Sequence, residues 1–110
     1  MPHADLKYSA DLNIDPTAIL RGIEQVIQSV DPSSGICKGR AYPAQIFHHT
    51  HILINVSLLP KPHRDAKFTQ NLLGKLERQI KSHITQNCQF SLAVLYSDDG
   101  YITGAYTPQT

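Results

Sequence analysis

The sequence predicts an α/β (α+β) domain in which two β-α-β units form a four-stranded sheet with two helices on one face. Three observations predict it: an alternating segment next to the start, two long stretches of helical periodicity, and a β-branched apolar run between them. Together they give the order strand, helix, strand, strand, helix, strand.

Residues 3–9 carry Ala4, Leu6 and Tyr8 on one face and Asp5 and Lys7 on the other, the period-two signature of a half-buried strand. Asp15-Pro16 then reads as a helix start, with Asp as N-cap and Pro at the first helical position. Ile19, Ile23, Val26, Ile27 and Val30 follow at helical spacing, and the helix should end near Asp31-Pro32. The turn-rich stretch 32–35 leads to a second strand around residues 36–47, which Pro43 marks as an edge strand or a bulge. Residues 52–59 are β-branched and largely apolar, as an interior strand requires, and stop at Pro60-Lys61-Pro62.

From Arg64 to about Ile84, the residues Phe68, Leu72, Leu76, Ile80 and Ile84 line one face of a long amphipathic helix, with Lys67, Lys75, Glu77 and Lys81 opposite. Residues 89–97 form a last strand, and Asp98-Asp99-Gly100 turns into a tail, 101–106, expected to pair briefly or to cover a neighbour. Each helix joins two parallel strands through a right-handed crossover. With both helices on one face, the other face stays open and is expected to pack on copies of the same chain.

A length of 110 residues fits one domain, spanning 1–110, whose modest core leaves room for completion by oligomerisation. Ten Lys and Arg against nine Asp and Glu give a net charge of +1, too weak a field to argue for nucleic acid or a membrane surface as partner. No signal peptide is read at the start, so the expected location is cytoplasmic. Cys37 and Cys88 lack metal-type spacing and are expected as free, packed thiols. The cluster His48-His49-Thr50-His51 has no evident third ligand nearby and reads as a polar loop, so no metal site is expected. His3 points away from Pro2 along the strand and reads as structural.

Pro2 follows the initiator Met, a small penultimate residue that permits methionine removal and leaves a secondary amine at the head of a strand. An α-amino group has a reference pKa of about 7.7–8.0. Burial and nearby cations disfavour its protonated form, so it suits general acid/base work near neutral pH. Met-Pro alone is common, and its meaning depends on what surrounds it.

Met1-Pro2-His3, Tyr8-Ser9-Ala10-Asp11-Leu12, Gly35-Ile36, Arg40-Ala41, Asn55-Val56-Ser57-Leu58, Arg64 and Phe90-Ser91-Leu92 stand in an order and spacing that resembles the 5-carboxymethyl-2-hydroxymuconate isomerase branch of the tautomerase superfamily, from residue 2 to about residue 97. The resemblance implies a tautomerase-like fold assembled as a homotrimer whose sheets line a central barrel, with active sites at subunit boundaries. It implies Pro2 as the catalytic acid/base, and Lys38 and Arg64 as cations that hold a substrate carboxylate and draw charge toward an enolate oxygen. Lys38 stands where this branch commonly has arginine and lacks its two-pronged grip. Arg40, two residues on and on the same strand face, is the alternative.

The activity so implied is a cofactor-independent tautomerase or isomerase that moves a proton in a small unsaturated keto or hydroxy (di)carboxylic acid, with a place in aromatic compound catabolism. The alternatives are a hydratase or dehalogenase acting on an unsaturated acid through the same proline, and a non-enzymatic trimeric binding module.

Overall fold

The computed structural model describes residues 1–109. Six elements follow in the expected order: β1 (His3–Ser9), α1 (Pro16–Val30), β2 (Lys38–Ala44), β3 (His51–Leu58), α2 (Ala66–Lys81) and β4 (Gln89–Tyr96). They build one mixed sheet of order β2-β1-β3-β4. The pairs β1/β2 and β3/β4 are parallel, as crossover helices demand, and the two units join through antiparallel β1/β3.

Both helices begin as the sequence dictates. The Asp15 carboxylate accepts the Ala18 N–H at 3.1 Å, and the Asp65 carboxylate accepts the Phe68 N–H at 2.8 Å, each satisfying an orphan donor of the first turn. Ile19, Ile23 and Ile27 of α1 and Leu72, Leu76 and Ile80 of α2 are buried at four-residue intervals. They pack on Ala4 and Leu6 of β1 and on Ile52, Ile54, Val56 and Leu58 of β3, so the core lies between one sheet face and the helix layer. The helices also touch each other, and at Gly22 an added Cβ would collide with the Gln79 side-chain amide. Among the described residues no helix is long and apolar enough to cross a membrane.

Some boundaries differ from expectation for identifiable reasons. α2 starts at Ala66 because Asp65 is its cap, which leaves Arg64 in the preceding turn rather than at the head of the helix. The helix ends at Lys81, yet tight turns from His83 to Ile80 and from Ile84 to Lys81 keep Ile84 on the core side, so the apolar period outlasts the helix. β2 is shorter than 36–47: the Cys37 N–H turns to the Glu24 carboxylate at 2.7 Å, and the chain leaves the sheet after Ala44 into a loop where His49 has φ 65°. Pro43 sits on the edge strand, where a missing N–H costs least. The tail 97–109 contains no strand, contrary to the brief pairing expected of residues 101–106.

Among the described residues the opposite sheet face has no helix. By register it presents His3, Asp5 and Lys7 of β1, Lys38, Arg40 and Tyr42 of β2, Leu53, Asn55 and Ser57 of β3, and Ala93 and Leu95 of β4.

Candidate active site

The topology gathers distant segments at one rim of the sheet. His3 pairs with Lys38 on one side and Ser57 on the other, and Ser57 pairs with Leu95. The beginnings of β1 and β2 therefore lie beside the ends of β3 and β4. The α1–β2 loop, the β3–α2 loop and the tail after β4 all emerge there.

Pro2 is buried at this rim, and its carbonyl accepts the Lys38 N–H at 3.0 Å. The α-amino group at position 1 is pulled below its ordinary value, first by burial and then by Lys38, Lys61 and Arg64. Three cations thus act on the amino end of the chain. Lys61 was not among the residues singled out by sequence, where Pro60-Lys61-Pro62 read only as a strand stop. The available signal was a lone cation held between two prolines in the loop that precedes Arg64.

Lys38 and Arg40 share a face, but their contacts differ. The Lys38 ammonium donates to Thr103 Oγ1 at 2.9 Å and borders a cleft of about 480 Å³, walled by His3 on the same side and residues 102–106 on the other. Arg40 turns to its neighbours, donating to Asp5 Oδ1 at 2.7 Å, to His3 Nδ1 at 2.7 Å and to the Lys38 carbonyl at 3.1 Å.

Arg64 is tied into the fold by its own hydrogen bonds. Its side chain is 2% exposed, and its Nε and one terminal nitrogen donate to Asp31 Oδ2 at 3.0 and 2.8 Å. The same terminal nitrogen reaches Ser34 Oγ at 2.9 Å, and the other donates to the Leu59 carbonyl at 2.8 Å. The carboxylate it grips is the protein's own, which fixes the position of its charge. Burial alone would raise the Asp31 carboxyl, but hydrogen bonds from Ser33, His63 and Arg64 outweigh it and hold the group well below the usual carboxylate range.

His3 has more contacts than a structural reading anticipates. Its Nδ1 meets Arg40, its Nε2 lies 3.0 Å from the Tyr101 hydroxyl, and that hydroxyl donates to the Met1 carbonyl at 3.3 Å. Burial, Lys38 and Arg40 lower its pKa. The histidines of residues 48–51 stand apart: the His48 and His49 rings lie 4.0 Å apart, and His51 starts β3 at the far end of the sheet. Among the described residues no group of three His, Cys, Asp or Glu side chains is placed to hold a metal ion. Cys37 and Cys88 are free, and burial followed by Glu24 pushes the Cys37 thiol up to about 11, which leaves it a poor nucleophile.

No protein-family model and no curated protein sequence matches the chain. Its structure has a tautomerase-like fold. It is similar to 5-carboxymethyl-2-hydroxymuconate delta-isomerase, with a TM-score of 0.73 at 16% identity over 96% of this chain and 89% of that one. A 5-carboxymethyl-2-hydroxymuconate isomerase from Deinococcus radiodurans R1 aligns with a TM-score of 0.62 at 16% identity, over 99% of this chain and 90% of that one. A fused 4-OT wild-type symmetric trimer aligns with a TM-score of 0.61 at 15% identity, over 94% of each chain. At these identities the likeness is one of backbone architecture.

Proposed function

We propose that the chain is a tautomerase or isomerase that needs no cofactor, with Pro2 as its general acid/base once Met1 has been removed. One observation supports this above the others: burial and three cations, Lys38, Lys61 and Arg64, act together to lower the amine at the start of the chain. Removal of Met1 moves the free amine one residue along to the buried Pro2, where burial and positive neighbours favour the neutral base over the charged form. Pro2 takes a proton from the carbon next to a carbonyl or from an enol, and the electron pair of the broken bond moves toward oxygen. The prolinium then returns the proton to another carbon of the same molecule.

Lys38 is the cation that borders the cleft and holds a substrate carboxylate as a point charge. Arg40 orients the strand face beside it, and the fixed Arg64 and Lys61 add positive potential that favours the enolate. The substrates are small unsaturated keto or hydroxy acids, the class to which the 5-carboxymethyl-2-hydroxymuconate named for two structural neighbours belongs. A homotrimer closes the open sheet face, in keeping with a neighbour described as a symmetric trimer.

In protein shown by mass spectrometry to lack Met1, Pro2→Ala should lower tautomerisation of phenylenolpyruvate by about 10²–10⁴-fold, the usual contribution of a positioned acid/base. Unchanged turnover would reject the assignment.

A further inference from the structure

We infer that Tyr101 is a further catalytic residue, whose hydroxyl donates a hydrogen bond to the substrate oxygen that becomes negative when Pro2 takes its proton, and that His3 is the residue that positions it. The inference rests on the reading of Pro2 as the acid/base.

The direction of each hydrogen bond follows from chemistry. A guanidinium has donors only, so at 2.7 Å from Arg40 the His3 Nδ1 must be the acceptor. The ring proton of the neutral imidazole is then on Nε2 and points to the Tyr101 oxygen, 3.0 Å away. Burial and the charges of Lys38 and Arg40 favour that neutral form. With its oxygen accepting from His3, the Tyr101 hydroxyl directs its own proton outward, and the group that receives it is the Met1 carbonyl at 3.3 Å.

That acceptor is the carbonyl bonded to the Pro2 nitrogen. Removal of Met1 frees the amine and in the same event deprives Tyr101 of its partner, leaving a donor aimed at the space beside the new base. A substrate carbonyl oxygen in that space accepts the hydroxyl proton as Met1 does. The cleft beside it is bordered by Lys38, whose ammonium is tied to the same tail through Thr103. One small keto acid then spans the three groups, with its carboxylate at Lys38, its carbonyl oxygen at Tyr101 and its acidic carbon facing Pro2.

The step balances without a co-reactant. The C–H electron pair forms the new C=C bond, the carbonyl π pair moves onto the oxygen held by Tyr101, and the proton goes to the Pro2 nitrogen. The oxygen's electron pair then flows back, the double bond shifts along the conjugated system and the prolinium delivers the proton to a different carbon. With an enol such as phenylenolpyruvate, Pro2 takes the hydroxyl proton and delivers it to carbon as the carbonyl re-forms. Tyr101 keeps its own proton and strengthens its hydrogen bond as charge builds, and the His3 bond to its oxygen polarises the hydroxyl further.

The test compares Tyr101→Phe, His3→Ala, His3→Gln and Pro2→Ala in Met1-free protein, with phenylenolpyruvate as substrate. Tyr101→Phe keeps the ring and removes only the donor. It should lower kcat by about 10²-fold with KM little changed, as expected of a contact that matters in the transition state. His3→Ala should lower kcat in the same sense, and His3→Gln, whose amide still donates, should recover most of it. Wild-type kcat in Tyr101→Phe, with Pro2→Ala inactive, overturns the role of Tyr101 and leaves the Pro2 reading standing. Full activity in His3→Ala overturns the positioning role, and full activity in Pro2→Ala overturns the reading beneath both.

Discussion

Asp31 occupies the carboxyl end of α1, where the helix dipole disfavours an anion, and it is 5% exposed. Its carboxylate persists because Arg64, His63 and Ser33 all donate to it. Asp31→Ala leaves the Arg64 charge buried without its counter-ion and should destabilise the protein by about 3–5 kcal/mol in urea unfolding at fixed protein concentration. The pH dependence has a definite sign. The folded carboxyl titrates below its unfolded value of about 3.9, so its contribution is complete above that value and is lost as pH falls through the folded one. Stability of the wild type should therefore decline in acid more steeply than that of Asp31→Asn. At this scale the sequence disclosed the position of Pro2 at the head of β1 and the common face of Lys38 and Arg40, because both follow from local position on a strand. It did not disclose that Arg64 would close on a residue 33 positions away, or that His3 would meet a tyrosine 98 positions on. Such pairs depend on which loops the sheet register brings to one rim, and local pattern carries no record of that.

The helices and inner strands were legible because burial imposes a period on them. Ile54 in the middle of β3 is fully buried between helices and sheet neighbours, and Ile54→Ala should cost about 2–5 kcal/mol, measured by chemical unfolding. Asp65 has a dual position, capping α2 while the residue before it anchors Asp31. Asp65→Ala should cost about 1 kcal/mol through the lost cap. The same cap explains the misplaced start of α2: a charged residue before an N-cap looks like a first turn in sequence, although the chain there is still turning. β2 was legible as an edge strand through Pro43, but its ends were not, because they are fixed by the Glu24 bond to Cys37 and by the reversal at His49.

For the whole molecule the leading feature is the helix-free sheet face. It exposes Tyr42, Leu53 and Leu95 at 48%, 37% and 48%, apolar groups beside charged ones that suit burial against other copies. Under the proposed trimer, Leu53→Asp should shift the sedimentation coefficient toward that of a single chain and reduce turnover together with assembly. The topology itself could be read from element order, since parallel strands joined by helices leave few arrangements. The account turns on whether the amine of Pro2 is the proton carrier, and the pH dependence of kcat/KM for the Met1-free protein tests this most directly. It should rise with pH through an apparent pKa below the reference of about 7.7–8.0 for an α-amino group, and that limb should vanish in Pro2→Ala. The same acid limb, at the same position and amplitude, in Pro2→Ala would contradict it.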